Sequence, residues 1–251
     1  MDEAAPILRT VDVTRNFGMV KAADGISVEI KRGELVGIVG ANGSGKTTFL
    51  NLITGYLIPE RGRVLFLGRD TTGLAPRAIT KLGVARSFQV PQLYTGLSVL
   101  ENMLLSLAAK SATRSSAWQP LYRHPWIAEG LEILERFGLR AYAERPVVQL
   151  PEGGRKLLDV ALSFALAPRL LLMDEPTSGV SIEDKSRIMD TLVTVLQQGA
   201  VTAIFVEHDM DIVQRYAHRV LVFDNGKVIA QGEPDRVLAD AEVRKAVLGR
   251  A

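Results

Sequence analysis

Apolar and polar positions alternate along the first part of the chain, which predicts strands there. Over residues 8–30 apolar side chains recur at every second position, as at Val11 and Val13, and this period of two is typical of half-buried strands. We therefore predict two antiparallel strands in this segment. A continuous apolar run at 35–39 follows, and it predicts a strand that is buried on both faces.

The middle of the chain mixes helical and irregular patterns. Gly55 ends a predicted helix over 46–54, and Ser98 caps a second helix. The remaining expectations are a turn at 60–63, strands at 64–67 and 83–88, a surface loop at 110–125 and a helix at 127–137.

The last third of the chain alternates strand-like and helix-like segments. This order predicts an α/β fold whose parallel sheet is joined by crossover helices. Asn225 and Gly226 mark a closing hairpin. The predicted strands are 170–173, 201–206, 220–223 and 228–231, and the predicted helices are 155–166, 183–198 and 210–217.

Composition narrows the class of protein without deciding its activity. A hydrophobic share of 47% with 23% charged residues suits one globular domain of 251 residues. The net charge of +2 gives no reason to expect a nucleic-acid partner. The chain has no cysteine, so thiolate nucleophiles and disulfides are excluded. No apolar stretch approaches the roughly 18 to 20 residues that cross a bilayer.

A glycine-rich loop joins the buried strand at 35–39 to the next helix. Residues 40–47 fit the phosphate-loop pattern of glycine, four residues, glycine, lysine, then serine or threonine. Backbone amides of such a loop and the helix N-terminus bind phosphate oxygens, and the lysine reaches the β- and γ-phosphates. The alternative is a flexible glycine turn. The pattern assigns these residues to nucleotide binding: Gly40, Asn42, Gly43, Ser44, Gly45, Lys46, Thr47 and Thr48.

Two adjacent carboxylates end the apolar strand at 170–173. Asp174 is predicted to hold the Mg²⁺ shell, and Glu175 is predicted to approach the water that attacks the γ-phosphate. Because neighbouring side chains on a strand point in opposite directions, we expect these two carboxylates to diverge. The alternative for Glu175 is a solvated acid at a strand end.

Two further polar residues follow predicted parallel strands. His208 comes after the strand at 201–206, and Gln89 comes after the strand at 83–88. The carboxyl ends of parallel strands form the ligand edge of a sheet. We therefore expect His208 to contact the γ-phosphate and Gln89 to bind Mg²⁺ or water, whereas His124 and His218 lack this placement.

The order of these motifs resembles that of ABC transporter nucleotide-binding domains, and the resemblance spans nearly the whole chain. It implies an ATPase that binds ATP and Mg²⁺, with Thr47, Gln89 and Asp174 as metal ligands. It implies one domain over 1–251, in which 1–90 and 167–251 form a RecA-like core with an antiparallel β subdomain and 91–166 form a helical lobe. Phe17 resembles the aromatic residue that stacks on adenine, and the alternative is a core phenylalanine.

The signature motif of that family, Leu-Ser-Gly-Gly-Gln, has its counterpart at 150–154. Leu150 and Gly153 are retained as nucleotide-contacting residues, but Pro151 replaces the serine and offers neither a hydroxyl nor an N–H group. Glu152 adds a negative charge where phosphate would approach. In the family each ATP lies between one subunit's phosphate loop and the other subunit's signature.

These departures affect only the half-site that the chain offers to a neighbour. We therefore expect a heterodimer in which a second ATPase with an intact signature completes the site containing Lys46 and Glu175. The opposite site is expected to bind ATP and hydrolyse it poorly. Ser181 stands where the family usually has an aspartate between the two sites, which points the same way.

Local runs at 83–89, 97–102 and 206–210 are similar to one importer branch of the family. That branch takes up branched-chain amino acids, urea, short amides and aromatic acids. The resemblance implies a second ATPase, integral-membrane permeases and, indirectly, a periplasmic binding protein, with this chain at the cytoplasmic face of the inner membrane. Residues 106–125 match the longer helical lobe of the branch, and the permeases are expected to contact Val90, Pro91, Gln92 and Tyr94.

Other functions remain as alternatives. A soluble ABC ATPase without permeases is less favoured, because the chain has no coiled-coil insertion, second cassette or basic patch. A P-loop kinase or GTPase does not explain Gln89 and His208 at their strand ends or Glu175 after Asp174.

Overall fold

A computed structural model describes residues 5–111, 121, 122 and 124–248. The strands are β1 (Leu8–Phe17), β2 (Val20–Ile26), β3 (Glu29–Ile30), β4 (Leu35–Val39), β5 (Arg61–Phe66), β6 (Arg69–Asp70), β7 (Val84–Ser87), β8 (Leu170–Asp174), β9 (Thr202–Val206), β10 (Arg219–Asp224) and β11 (Lys227–Gly232). The helices are α1 (Lys46–Ile53), α2 (Pro76–Leu82), α3 (Val99–Lys110), α4 (His124–Arg136), α5 (Glu152–Ala165), α6 (Ile182–Gln198), α7 (Met210–Tyr216), α8 (Pro234–Ala239) and α9 (Ala241–Leu248).

Two sheets organise the described residues. The larger sheet has the order β11-β10-β4-β9-β8-β7, in which β10, β4, β9, β8 and β7 run parallel and β11 is an antiparallel edge. The smaller sheet is antiparallel, with the order β2-β1-β5-β6 and with β3 also paired to β1. The predicted α/β fold with a parallel sheet and an antiparallel subdomain is confirmed.

The parallel strands are buried on both faces, as their continuous apolar sequences predict. Along β8, Leu170 and Leu172 belong to the hydrophobic cluster that also contains Phe49 of α1. Leu171 and Met173 point to the opposite cluster, which includes the residues of α3 to α6. The sheet therefore separates two cores, and its carboxyl edge is the place where the loops carrying polar residues meet.

A group of helices, α3, α4 and α5, packs on one of these cores. The predicted cap of α3 is confirmed, because Ser98 Oγ accepts a hydrogen bond from the amide of Glu101 at 3.1 Å and the Glu101 carboxylate accepts one from the amide of Ser98 at 2.7 Å. An added Cβ at Gly130 of α4 would lie 3.1 Å from Met103 of α3, so the absence of a side chain lets these two helices approach closely.

The antiparallel sheet differs from the prediction in two places. The segment 8–30 forms three strands, because Glu29 and Ile30 pair separately with β1. The predicted turn at 60–63 is partly strand, since β5 begins at Arg61, which pairs with Thr14. Gly62 explains the difference, because an added Cβ there would lie 2.3 Å from the carbonyl oxygen of Asp12. Glycine at this position allows the backbones of β5 and β1 to approach closely, whereas the local sequence pattern predicted a turn.

Several further differences concern the helices. Helix α2 was not predicted, because it is short and begins with Pro76 after a residue that makes no side-chain cap. Helix α5 begins at Glu152, three residues before the predicted start. Lys110 belongs to α3 and α4 begins at His124, so both ends of the predicted loop 110–125 are helical; residues 112–120 and 123 lie outside the described part. Within the described ranges no helix combines the length and apolar character needed to cross a membrane.

Candidate nucleotide site

The phosphate loop leaves β4, turns back on itself and enters α1. Lys46 Nζ donates hydrogen bonds to the carbonyl oxygens of Gly40 at 2.7 Å and Ala41 at 2.9 Å. Gly45 has φ +104°, and an added Cβ there would lie 2.4 Å from the carbonyl oxygen of Ala22. Glycine is therefore required where the loop touches β2.

The inside of this loop fits a polyanion. Ser44 Oγ is buried and has no hydrogen-bond partner among the described residues. A Cβ at Gly43 would meet nothing within 4 Å, so this side of the loop is open. Burial lowers the pKa of Lys46, while the carboxylates of Glu175 and Asp174 favour its charged form. A cation and an unpaired hydroxyl in one loop suit phosphate oxygens. Asn42 and Thr47 are exposed and Thr48 is half-buried beside them.

Glu175 lies just beyond the end of β8, which the structure ends at Asp174. Its backbone has φ +50°, a left-handed conformation that is uncommon for residues other than glycine. The expectation that strand alternation directs the two carboxylates is wrong, because Glu175 does not continue the strand. Its direction is set by this left-handed turn, a conformation that tends to concentrate at functional sites.

Glu175 joins two other predicted residues. Its Oε2 accepts a hydrogen bond from Gln89 Nε2 at 2.8 Å, and its Oε1 lies 2.9 Å from His208 Nε2. Gln89, Glu175 and His208 follow β7, β8 and β9, neighbouring strands of the larger sheet. The structure therefore brings together three polar groups that are separated by up to 119 positions in sequence, and Lys46 lies within electrostatic range of Glu175.

Asp174 is paired with a residue that the sequence did not single out. Arg86 of β7 donates to Asp174 Oδ2 at 2.7 Å and to Asn51 Oδ1 at 2.6 Å. The side chains of Arg86 and Asp174 are each 6% exposed. The sequence does show a charged residue, Arg86, inside the predicted strand 83–88. Its partner Asp174 is 88 positions away, so the pair could not be predicted.

The predicted Mg²⁺ ligands lie around the phosphate loop and the end of β8. The described residues contain no group of three or more His, Cys, Asp or Glu side chains that could hold a metal ion. Mg²⁺ is usually bound by one or two protein ligands together with phosphate oxygens and water. Asp174 would supply a single carboxylate oxygen, Oδ1, because its Oδ2 accepts from Arg86, and Thr47 at the start of α1 would supply its hydroxyl. The Gln89 amide nitrogen is directed to Glu175.

Phe17 lies on the surface and not in the core, which removes the alternative interpretation of this residue. It is 47% exposed, and the guanidinium of Arg15 stacks on its ring at 5.3 Å. Phe17 pairs with Val20 at the end of the β1–β2 hairpin, close in the chain to Ala22, which touches the phosphate loop. This placement suits an aromatic platform next to the phosphate loop.

The signature region forms the start of α5. Leu150 is buried, whereas Pro151 and Glu152 are exposed at the helix N-terminus. Pro151 makes no side-chain cap, and Arg155 lies 3.8 Å from the Glu152 carboxylate. An added Cβ at Gly153 would lie 3.2 Å from Ile188 of α6. The counterpart of the phosphate-binding serine thus lacks a donor.

A second buried carboxylate was also missed. Glu207 precedes His208 and accepts hydrogen bonds from the Thr177 amide at 2.9 Å and hydroxyl at 2.7 Å. Burial raises the pKa of Glu207, although these hydrogen bonds oppose the shift. The contact ties the loop after Glu175 to the strand end that carries His208. The sequence offered no signal for this contact, because Glu207 and Thr177 are 30 positions apart in the chain.

Comparison with known proteins agrees with this geometry. The family described as ABC transporter matches residues 23–178. A probable branched-chain amino acid transport ATP-binding protein LivG from Methanocaldococcus jannaschii is 33% identical, and the alignment covers 99% of this chain and 100% of that protein. A high-affinity branched-chain amino acid transport ATP-binding protein LivG from Escherichia coli is 29% identical, with 98% and 99% covered.

Solved structures give the same result. The ADP conformation of an ATP-binding cassette of an ABC transporter has a TM-score of 0.88 at 33% identity, covering 98% of this chain and 100% of that chain. A dimeric cassette in a post-hydrolysis state bound to ADP and Pi has a TM-score of 0.78 at 26% identity, covering 90% and 98%. The chain therefore belongs to the ABC transporter family, as an ATP-binding subunit with ATPase activity.

Proposed function

We propose that the chain is the ATP-hydrolysing subunit of an importer for branched-chain amino acids or related small organic solutes. The observation that carries this proposal is the position of the Glu175 carboxylate between Gln89 and His208, next to the phosphate loop. The names of the similar proteins support the solute class, because they are described as branched-chain amino acid transport ATP-binding proteins.

Hydrolysis is assigned to the groups around Glu175. Lys46 and the amides of the phosphate loop bind the phosphates of ATP, which is the substrate. Glu175 is the general base: as the water oxygen bonds to the γ-phosphorus and the bond to the ADP oxygen breaks, the water proton passes to the Glu175 carboxylate. Gln89 and His208 hold that carboxylate in place from both sides. Mg²⁺, when bound by Thr47, Asp174 and Gln89, would neutralise charge on the phosphates.

A heterodimer explains the unequal halves of the chain. Its own phosphate loop and Glu175 are complete, whereas its half of the opposite site presents Pro151 and Glu152 at the α5 N-terminus. A carboxylate there repels phosphate, and proline supplies no donor. A second ATPase subunit with an intact signature would complete the site of Lys46 and Glu175. A related cassette is described as dimeric, which supports the pairing of two cassettes, and the unequal halves of this chain carry the proposal that the two differ.

The permease contact is assigned to the segment after Gln89. Val90 is 69% exposed and Tyr94 is 64% exposed, and Tyr56, which packs edge-on against Phe88, is 55% exposed. Exposed apolar side chains grouped near one loop suit helices of a membrane protein partner. Through this contact the chain would sit at the cytoplasmic face of the inner membrane, and a periplasmic binding protein would deliver the solute to the permeases.

The test compares the purified full chain alone with the chain mixed with a second cassette that has an intact signature. We expect slow ATP turnover by the chain alone and a large increase in the mixture, because only the partner supplies a competent signature. Lys46→Ala in this chain should abolish the increase while circular dichroism stays unchanged. Fast turnover by the isolated chain would contradict the asymmetric arrangement.

A further inference from the structure

Three polar side chains of α5 are buried along one face of the helix. Lys156, Asp159 and Ser163 have exposed fractions of 5%, 6% and 9%, and their spacings of three and four residues place them in a row. Lys and Asp are rarely buried unless they are paired. We call this row the α5 polar stripe, and its partners explain its burial.

Two members of the stripe bind the backbone of β7 and of the segment that follows. Ser163 Oγ donates a hydrogen bond to the carbonyl oxygen of Arg86 at 3.0 Å. The Asp159 carboxylate accepts hydrogen bonds from the amide of Phe88 at 2.9 Å and from the amide of Gln92 at 3.1 Å. The carboxylate therefore closes a loop of backbone around Gln89.

Lys156 is the member nearest to the reacting groups. Its Nζ donates to the carbonyl oxygen of Gln89, to Ser178 Oγ at 2.8 Å and to the carbonyl oxygen of Glu175 at 3.4 Å. One ammonium group thus holds the residues that follow β7 and β8. Glu175 has an unusual left-handed backbone, and such a conformation persists only where surrounding contacts determine it.

The electrostatics of the stripe depend on these contacts. Burial raises the pKa of Asp159, and the amides of Phe88 and Gln92 and the charge of Lys156 oppose that shift. If the backbone contacts were lost, the buried Asp159 carboxylate and Lys156 ammonium would lose their hydrogen-bond partners in the segment 88–92, which is costly. The segment 88–92 and α5 are therefore expected to move together.

We propose that the α5 polar stripe positions Gln89 and Glu175 for hydrolysis, with Lys156 as the principal positioning residue. Helix α5 begins at Glu152, so the helix whose N-terminus would face the neighbouring subunit's nucleotide in the proposed dimer also holds the backbone of Gln89 and Glu175. A displacement of the α5 N-terminus is thereby transmitted to the Glu175 carboxylate. This inference rests on the proposed function of Glu175 and adds a route by which dimer closure reaches it.

The experiment uses Lys156→Met, which keeps the length of the side chain and removes its donors. Lys156→Arg keeps the charge and the hydrogen-bond donors. Lys110→Met is the matched control, because Lys110 is exposed in α3 and pairs with Glu129 at 2.9 Å. Three quantities are measured: kcat and KM for ATP in the complex with the second cassette, the Kd of the full chain for a fluorescent ATP analogue, and amide hydrogen exchange across 88–92.

For Lys156→Met we expect kcat to fall about tenfold or more, with KM and the analogue Kd within about twofold of wild type, because the phosphate loop is untouched. Exchange across 88–92 should accelerate in Lys156→Met, whereas Lys156→Arg and Lys110→Met should remain close to wild type. Asp159→Asn provides a second test in case Lys156→Met does not fold, and it should also accelerate exchange across 88–92.

Unchanged exchange across 88–92 in a folded Lys156→Met or Asp159→Asn chain would overturn the proposal, as would a rise in KM with kcat preserved. Failure of the proposed function has a different signature. In that case the wild-type chain would neither bind the ATP analogue nor hydrolyse ATP with the second cassette, while the exchange comparison would still decide whether the stripe holds the segment.

Discussion

The ion pair between Arg86 and Asp174 allows a quantitative prediction. Both side chains are 6% exposed and the pair spans 2.7 Å. Removing one partner of a buried pair typically costs about 3 to 5 kcal/mol, since the other charge is left uncompensated. Lys46 remains within electrostatic range of Asp174. For Arg86→Met we therefore expect a loss in the free energy of unfolding near the lower limit, about 3 kcal/mol.

Urea denaturation of the full chain measures this loss, and a surface pair supplies the control. Arg9 and Glu29 form an ion pair at 3.2 Å, with side chains 56% and 55% exposed. Exposed pairs contribute at most about 1 kcal/mol, so Arg9→Met should have a small effect. The double variant Arg86→Met, Asp174→Asn should recover part of the stability, because no unpaired charge then remains. Equal losses for Arg86→Met and Arg9→Met would show that the buried ion pair is no more important for stability than the exposed one.

Two further predictions concern stability. Ser98→Ala removes the cap of α3 and should lower the free energy of unfolding by about 1 kcal/mol in urea denaturation, whereas Ser106→Ala within the same helix should change it by less than about 0.5 kcal/mol. Burial disfavours the ionised form of Glu34, but hydrogen bonds from Arg219 and from the Lys31 amide outweigh burial and lower its pKa below 4.5. The stabilisation of the fold by ionised Glu34 is therefore fully present above pH 4.5, and it is lost as the pH falls through the lowered pKa. The stability gap between wild type and Glu34→Gln should be largest at neutral pH and narrow on acidification, and a constant gap would contradict this assignment.

The sequence predicted those parts of the site that depend on local patterns. The phosphate loop has a fixed spacing of glycines before Lys46, and it folds between a strand and a helix as expected. Gln89 and His208 were found because each follows an apolar run, and the ends of parallel strands meet at one edge. These inferences needed no knowledge of which strands are neighbours.

The residues that were missed depend on partners far apart in the chain. Arg86 pairs with Asp174 across neighbouring strands, and Lys156 reaches the carbonyl of Gln89 from a helix. Charged residues at helical spacing are usually a solvated face, so the sequence of α5 could not show that this face is buried. The left-handed backbone of Glu175 likewise depends on tertiary contacts, such as that of Lys156 with its carbonyl oxygen, which no local pattern reveals.

The role of Glu175 as the base for hydrolysis is tested by ATP turnover of the complex with a second cassette, measured with Glu175→Gln in this chain. We expect this variant still to bind ATP and to lose nearly all turnover, because Glu175 serves the competent site. The corresponding carboxylate change in the second cassette should preserve most of the activity. Turnover that survives Glu175→Gln, or that falls equally in both variants, would contradict the claim.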